Sequence, residues 1–262
     1  MNEYPIGIFD SGVGGTSIWK EINALLPNED TIYLADSKNA PYGEKSKDEI
    51  IQLSIRNTEL LLNKGCKIVV VACNTATTNA INYLRGNYNI PFIGIEPAIK
   101  PAALQSQSKT VGVLATKGTL SSSLFHSTSG NHASGIKIIE QVGTGLVPLI
   151  EAGKVNSCET KALLKTYLKP MVRAGIDYLV LGCTHYPYLI PVLGKLLPEH
   201  VKIIDSGEAV ARQTMAVLVK NELLTSSDEK GNHQFITNTD VGILESFIRN
   251  NSSSIKTVYQ DF

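Results

Sequence analysis

The sequence predicts an α/β fold made of two pseudo-symmetric halves with mostly parallel sheets. Short apolar segments of strand length alternate with helical patterns along the chain, which is the pattern of a parallel sheet covered by helices. In addition, residues 65–75 are repeated as residues 175–185, at an offset of 110 residues. Each copy reads as glycine, apolar strand, small residue, cysteine and two polar residues, so the two halves of the chain are predicted to share one architecture.

Eight segments have the length and apolar character of buried strands. They are residues 6–9, 31–35, 67–72, 91–95, 110–115, 136–142, 177–182 and 201–205.

Three helical patterns are clearest between these strands. Positions 18, 22, 25 and 26 are apolar and lie on one face of a helix. Ser46 and Glu49 form a capping box that begins a helix running to about residue 64, where Gly65 ends it. A third helix is predicted for residues 157–174, with a bend at Pro170.

A second, shorter echo helps to divide the chain into domains. Residues 6–11 resemble residues 111–116, which supports a boundary between the halves near residue 98. The first domain is predicted to be residues 1–98 and the second residues 99–210. Residues 211–262 have no counterpart in the first half and are expected to pack back on the first domain.

Charge and apolar content limit the classes of function. The 262 residues contain 24 Lys and Arg and 24 Asp and Glu, so the formal net charge is zero. Proteins that bind nucleic acid or anionic membranes normally carry a basic excess, and neither partner is expected here. No secretory signal or apolar run of about 18 residues is recognisable, which predicts a cytoplasmic protein.

The four cysteines fit catalysis better than disulfides. In a reducing cytosol they remain thiols, and none forms a C-x-x-C pair, so neither a metal site nor a thioredoxin-like site is expected. Taken singly, a cysteine at the end of a buried strand is usually a packing residue.

Polar residues follow three strands at their carboxyl ends, where open α/β sheets bind ligands. These residues are Asp10 and Ser11, then Cys73, Asn74 and Thr75, then Cys183, Thr184 and His185. Each group precedes a helix, whose free N–H groups favour an anion, and Asn74, Thr75 and Thr184 are expected at cap positions.

The glycine-rich residues 12–16 do not indicate a nucleotide site. They match neither G-x-x-x-x-G-K-[ST] nor G-x-G-x-x-G, so a tight turn that lets the backbone approach a small anion is the better interpretation.

The repeat predicts one cysteine from each half on opposite sides of a bound molecule. Inversion at carbon needs this arrangement, because one thiolate removes a proton from one face and the other thiol returns a proton to the opposite face. Cysteine suits the task, since its ordinary pKa of about 8.5 makes the thiolate accessible near neutral pH.

With these residues in view, the chain resembles the glutamate racemases of the aspartate/glutamate racemase superfamily. The matching motifs are IGIFDSGVGGTS (6–17), YLADSKNAPYGEKS (33–46), VVVACNTATT (69–78), GIEPAIKPA (94–102), VPLIEAGK (147–154), LVLGCTHYP (179–187) and IDSGEAVA (204–211). FDSGVGG and GCTHYP are the most specific of them.

The resemblance implies two flavodoxin-like domains with the active site in the cleft between them. It implies that Cys73 and Cys183 are the catalytic thiols, with Cys73 serving the D-isomer and Cys183 the L-isomer. It further implies a set of assisting and substrate-binding residues: Asp10, Glu151 and His185 assist the thiols, and Asp10, Ser11, Tyr42, Gly43, Asn74, Thr75, Thr116, Thr184 and His185 bind the substrate.

Some of these assignments have simpler explanations in the sequence. Residues 41–43 could form only a turn, Glu151 could be a solvated carboxylate at a helix end, and Thr116 rests mainly on its echo of Ser11.

The resemblance also implies no cofactor, a homodimer, and D-glutamate supplied for peptidoglycan in a walled bacterium. Two alternatives stay open at this point. A sister enzyme acting on aspartate or another small acid would carry the same two cysteines, and a binding protein for a small dicarboxylate would use the same cleft without turnover. A redox or metal–thiol protein is disfavoured by the missing C-x-x-C pair.

Overall fold

The computed structural model of the chain describes residues 4–132, 135–248 and 254–262. The parts of the predicted domains at residues 1–3, 133–134 and 249–253 lie outside the described residues.

The first half builds a parallel sheet that the C-terminal segment extends. Its strands are β1 (Ile6–Asp10), β2 (Thr31–Ala35), β3 (Ile68–Val71), β4 (Phe92–Gly94), β9 (His233–Thr237) and β10 (Ile255–Tyr259). The order across the sheet is β10-β9-β2-β1-β3-β4, and every neighbouring pair is parallel.

The second half builds a smaller parallel sheet in the order β6-β5-β7-β8. Its strands are β5 (Thr110–Ala115), β6 (Lys137–Val142), β7 (Tyr178–Gly182) and β8 (Lys202–Ile204). In both halves the first four strands of the half are arranged second, first, third, fourth, which is the flavodoxin-like order. The predicted class, α/β with two pseudo-symmetric parallel sheets, is confirmed.

The helices cover the two sheets. They are α1 (Thr16–Leu25), α2 (Lys47–Asn63), α3 (Asn74–Asn87), α4 (Ile99–Gln105), α5 (Lys117–Leu120), α6 (Ser123–His132), α7 (Leu146–Glu151), α8 (Cys158–Arg173), α9 (Ile190–Leu196), α10 (Gly207–Lys220) and α11 (Val241–Ile248). Within the described ranges, none of these helices is long and apolar enough to cross a membrane.

The predicted elements match closely within the repeated part of the chain. All eight predicted strands are present, each within one residue of its predicted ends. The capping box is formed, with the Ser46 hydroxyl accepting from the Glu49 N–H and the Glu49 carboxylate accepting from the Ser46 N–H at 2.9 Å. The third predicted helix is α8, which continues through Pro170.

The strands β9 and β10 were not among the predicted strands. Each segment has only a short apolar stretch beside polar residues, HQFIT in β9 and IKTVY in β10, and β10 is the half-exposed edge of the sheet, so they lack the continuous apolar pattern of the others. The predicted domain limits at residues 98 and 210 stay a prediction.

Two buried contacts attach the C-terminal segment to the first half. Strand β9 pairs with β2, and Phe235 of β9 packs on the ring of Trp19 with centroids 4.7 Å apart. Between α10 and β9, the Thr225 N–H donates to Glu29, whose carboxylate forms a fully buried ion pair with Lys67 at 2.6 Å. Because an ion pair this buried is costly to break, it holds the Glu29 carboxylate in the position where it accepts the Thr225 N–H.

Candidate active site

A small cavity lies where the carboxyl ends of the two sheets face each other. Its volume is about 10 Å³, and it is lined by Ser11, Pro41, Tyr42, Gly43, Cys73, Asn74, Thr75, Thr116, Val147, Cys183, Thr184 and His185. Every predicted site residue therefore lines the cavity except Asp10 and Glu151, which lie behind its wall. Cys73 and Cys183 follow the equivalent strands β3 and β7, so each half contributes one thiol.

Cys73 lies at the start of α3, in a position that keeps its thiol neutral. Its Sγ accepts a bond from the Ala76 N–H at 3.4 Å and lies 3.6 Å from the Ser11 hydroxyl. Burial, together with the charges of Asp10 and Cys183, outweighs these bonds and raises the pKa of Cys73 to about 12. In the ligand-free protein this side chain is a thiol that can donate a proton.

The helix α3 begins earlier than predicted, and this changes the roles of its first residues. Cys73, and not Asn74 or Thr75, is the N-cap of the helix, and Thr184 bonds Asp10 in place of capping a helix. The prediction of caps at these three positions was wrong. The physical reason is that the sulfur accepts the Ala76 N–H in the first turn of α3, so the side chains of Asn74 and Thr75 are not needed as caps and face the cavity.

Asn74 is the clearest sign of a missing polar partner in the cavity. Both polar atoms of its amide are buried, and neither has a hydrogen-bond partner among the described residues. A buried amide without partners is unfavourable by roughly 1–3 kcal/mol, so a bound polar molecule would be stabilised here.

Next to Asn74, three hydroxyl groups form a cluster that joins the halves. Oγ1 of Thr75 lies 2.8 Å from Oγ1 of Thr116. Oγ1 of Thr119 lies 3.3 Å from that of Thr75 and 3.0 Å from that of Thr116.

The Cys183 thiol is paired with a histidine. Its Sγ lies 3.8 Å from Nδ1 of His185, and Nε2 of the same ring lies 2.5 Å from the Glu151 carboxylate. Burial alone lowers the pKa of His185, but its bonds to Cys183 and Glu151 outweigh burial and raise the pKa well above its ordinary value. The imidazole therefore joins the Cys183 thiol to the Glu151 carboxylate in one chain of contacts.

Glu151 connects this pair to the first half of the chain. One oxygen of its carboxylate accepts the Val13 N–H at 2.7 Å as well as the His185 bond, and the other accepts the Ser37 hydroxyl at 3.0 Å. Glu151 is therefore not the solvated helix-end carboxylate that the sequence left open.

Asp10 lies under the cavity and also joins the halves. It is fully buried, accepts the Gly12 N–H at 3.0 Å and accepts the Thr184 hydroxyl at 2.9 Å. Burial raises the pKa of Asp10, whereas the charge of His185 and the bond from Thr184 lower it. Burial is the larger effect, so the pKa is raised.

The glycine-rich turn makes room for side chains from the second half. A Cβ on Gly12 would overlap the Glu151 carboxylate, and a Cβ on Gly14 would overlap the His185 ring. The sequence predicted that this backbone approaches a small anion. In the structure the anionic group at the turn is the protein's own Glu151 carboxylate.

Tyr42 lines the cavity, but its hydroxyl is committed elsewhere. It donates to Asp36 at 2.5 Å and accepts from Asn57 at 3.0 Å. Gly43 lies against Thr116, where a Cβ would approach the threonine Cβ to 2.8 Å. A role for Tyr42 and Gly43 in substrate binding stays a prediction. Because the Tyr42 hydroxyl is occupied and Gly43 has no side chain, their backbone atoms are the polar groups that could contact a substrate.

The comparisons with known proteins agree with this architecture. The family model for Asp/Glu/Hydantoin racemase matches residues 6–214. A glutamate racemase of Herpetosiphon aurantiacus is 45% identical over 240 residues, which are 92% of this chain and 94% of that protein. The chain belongs to the glutamate racemase family.

Two solved racemases share the whole fold. The Escherichia coli glutamate racemase, determined with L-glutamate and the activator UDP-MurNAc-ala, has a TM-score of 0.86 and 33% identity, covering 98% of both chains. The Francisella tularensis glutamate racemase, determined with D-glutamate, has a TM-score of 0.85 and 28% identity, covering 100% of this chain and 98% of that one.

Several residues of this racemase site were missed by the sequence reasoning. Pro41 and Val147 line the cavity, and two further residues support it: Ser37 bonds Glu151 behind the wall, and Thr119 bonds Thr75 and Thr116. The first three lie inside the family-like motifs, which could have indicated them, whereas Thr119 carries no signal except its spacing from Thr116. The structure contains no group of three or more metal-ligating side chains within residues 4–132, 135–248 and 254–262.

We expect Gly14→Ala to lower the activity of the racemase by about a hundredfold, because the added methyl group displaces the His185 ring and small displacements of catalytic groups cost this much. Gly86→Ala is the matched control, since a Cβ at that position in α3 meets open space. Initial rates with both variants at equal concentration of folded protein make the test. Wild-type activity in Gly14→Ala would contradict the steric argument.

We expect Cys73 to react slowly with iodoacetamide in the ligand-free protein, with a rate that keeps rising from about pH 7 to pH 10. The reason is that only the thiolate reacts, and the raised pKa keeps Cys73 protonated across this range. Mass spectrometry of the modified peptides gives the rate for each cysteine, with the exposed Cys158 as the accessible reference. A plateau near about pH 8.5, the ordinary thiol value, would show that burial does not raise this pKa.

Proposed function

We propose that the chain interconverts L-glutamate and D-glutamate without a cofactor, by a two-base mechanism in which Cys73 and Cys183 are the acid and base. The observation that carries the proposal is the pair of thiols, which come from equivalent positions of two pseudo-symmetric halves and line one cavity. A protein that only bound a dicarboxylate would need no thiol from each half.

The different surroundings of the thiols support the direction of proton transfer. For L-glutamate, the Cys183 thiolate beside protonated His185 removes the α-proton, and the neutral Cys73 thiol gives its proton to the opposite face of Cα. The product is D-glutamate, and the two cysteines have exchanged roles. For D-glutamate the same steps run in reverse, with Cys73 removing the proton.

The remaining residues supply the polar groups that this reaction needs. The Asn74 amide, the hydroxyls of Thr75 and Thr116 and the first N–H groups of α3 can bind a substrate carboxylate. When Cα loses its proton, negative charge develops on that carboxylate, and donors held in place beforehand stabilise it. The small, largely closed cavity keeps water out, which strengthens these interactions.

Glu151 and Asp10 complete the proposed machinery from behind the cavity wall. Glu151 holds His185 in its orientation and favours its protonated form, and Asp10 fixes the Thr184 side chain. Glutamate as the substrate is supported by two related racemases, whose structures were solved in complex with D-glutamate and with L-glutamate.

A wider setting for the activity follows from the family resemblance of the sequence. We propose that the enzyme acts in the cytoplasm of a walled bacterium as a homodimer and supplies D-glutamate for peptidoglycan. We also propose that residues 1–98 with 211–262 form one domain and residues 99–210 the other, which the strands that the C-terminal segment adds to the first sheet support.

The direct test is incubation of the purified protein with L-glutamate in D₂O without added cofactor. We expect the optical activity to fall to zero. We also expect the first D-glutamate formed to carry deuterium at Cα while the remaining L-glutamate keeps hydrogen, because the donating thiol exchanges with solvent. Circular dichroism follows the first effect and NMR the second. Ligand binding without either change would favour a binding protein, and turnover of L-aspartate in preference to L-glutamate would favour the sister enzyme.

We expect Cys73→Ser and Cys183→Ser each to reduce racemisation by about a thousandfold or more, since a serine hydroxyl is a far weaker acid than a thiol. Cys158→Ser is the matched control, because Cys158 is exposed at the start of α8 and should keep full activity. The rates are measured on variants whose circular dichroism spectra match the wild type. Full activity in either of the first two variants would remove that residue from the two-base mechanism.

A further inference from the structure

Asn238, a buried residue of the C-terminal segment, bonds to residues beside the active site. Strands β2 and β9 are parallel neighbours in which Ala35 pairs with Thr237, so the next residue of each strand lies at the carboxyl edge beside the other. These two residues are Asp36 and Asn238, which are 1% and 4% exposed. The pairing of the tail with the first sheet therefore forces an amide against a carboxylate at the edge where the substrate cavity lies.

Asn238 makes one bond to Asp36 and one to the loop that follows it, residues 37–44, here called the 37–44 loop. Its Nδ2 donates to Asp36 Oδ1 at 2.6 Å, and its Oδ1 accepts the Lys38 N–H at 2.9 Å. An amide is suited to this place because it is donor and acceptor at once, whereas a carboxylate, hydroxyl or apolar group of similar size could not make both bonds in this geometry.

The carboxylate that Asn238 holds is the centre of the loop. Asp36 also accepts the Tyr42 hydroxyl at 2.5 Å and the Asn39 amide at 2.8 Å, so one buried carboxylate fixes both turns of the loop. Removing one donor from a buried carboxylate leaves charge without compensation, which is costly and shifts the groups that remain.

The 37–44 loop touches the site at two places. Pro41, Tyr42 and Gly43 form part of the cavity wall, and Ser37 donates to the Glu151 carboxylate that holds His185. A displacement of this loop therefore changes the shape of the cavity directly and the support of His185 indirectly.

We propose that Asn238 is a positioning residue for the racemase, which acts through Asp36 to hold the 37–44 loop against the bound substrate. The inference rests on the proposed function, since it concerns the same cavity. It assigns the C-terminal segment, in which the sequence shows no motif, a part in substrate binding.

The test is Asn238→Asp, which keeps the size of the side chain but replaces the donor that faces Asp36 with an acceptor. We expect KM for L-glutamate to rise by about tenfold or more, the effect of losing one hydrogen bond of about 1.4 kcal/mol, with a smaller change in kcat. Asn238→Ser is measured alongside as a milder loss of the same bond, in case the first variant does not fold.

The rescue variant combines Asp36→Asn with Asn238→Asp. The amide at position 36 then donates one N–H to the carboxylate at position 238, which still accepts the Lys38 N–H. Its second N–H faces Asn39, whose amide accepts it after turning its oxygen toward position 36. We expect KM to return to within about threefold of the wild type. Asp261→Asn is the matched control, because Asp261 joins the tail to the same loop through an exposed ion pair with Lys38 and should leave KM unchanged.

The dissociation constant of L-glutamate, measured by calorimetry on the same variants, separates this inference from the proposed function. If the wild-type protein binds glutamate but does not racemise it, the proposed function is wrong. The ratio of each variant's dissociation constant to that of the wild type still tests the role of Asn238. KM and dissociation constants within twofold of the wild type in folded Asn238→Asp and Asn238→Ser would overturn the inference and leave Asn238 a residue of stability only. The same conclusion follows if the folded rescue variant keeps the high KM.

Discussion

The structure of the site depends on the contact between the Glu151 carboxylate and the glycine-rich turn of the first half. One oxygen of Glu151 accepts the Val13 N–H at 2.7 Å and the His185 ring at 2.5 Å, so a single partly buried group binds the two halves to each other and orients the side chain beside Cys183. Gly12 and Gly14 make this contact possible, because any side chain there would fill the space that Glu151 and His185 occupy. The close approach of the two halves, with a thiol from each lining one cavity, depends on this contact.

The two halves are alike in backbone but different in electrostatics, and the difference suits the chemistry. Cys73 is buried near Asp10 and keeps its proton, whereas Cys183 has a protonated imidazole beside it. The two thiols therefore have different neighbours: Asp10 and Ser11 lie near Cys73, and His185, with Glu151 behind it, lies beside Cys183.

The fold was predictable where the pattern of the sequence is local and buried. Continuous apolar segments fix the strands of both halves to within one residue, and the repeat around Cys73 and Cys183 predicts that the two sheets are equivalent. Strands β9 and β10 were missed because each has only two or three apolar residues among polar ones, and they become strands when β9 pairs with β2 and β10 pairs with β9. The caps were also misplaced, since nothing in the local sequence distinguishes a sulfur that caps α3 from one that only packs.

The sequence by itself determined the chemical groups of the site: two thiols in equivalent positions, polar residues at three strand ends, and the motifs that surround them. Tertiary structure alone decided which of these groups meet. It assigned Glu151 to Val13 and His185, turned the Tyr42 hydroxyl away to Asp36, and brought Asn238 from the tail to the same carboxylate. The physical reason is that strand and helix patterns depend on neighbouring residues, whereas the contacts of side chains depend on how whole sheets pack, which no local pattern encodes. The bonds from Glu151 to Val13 and from Asn238 to Asp36 join residues more than 100 positions apart.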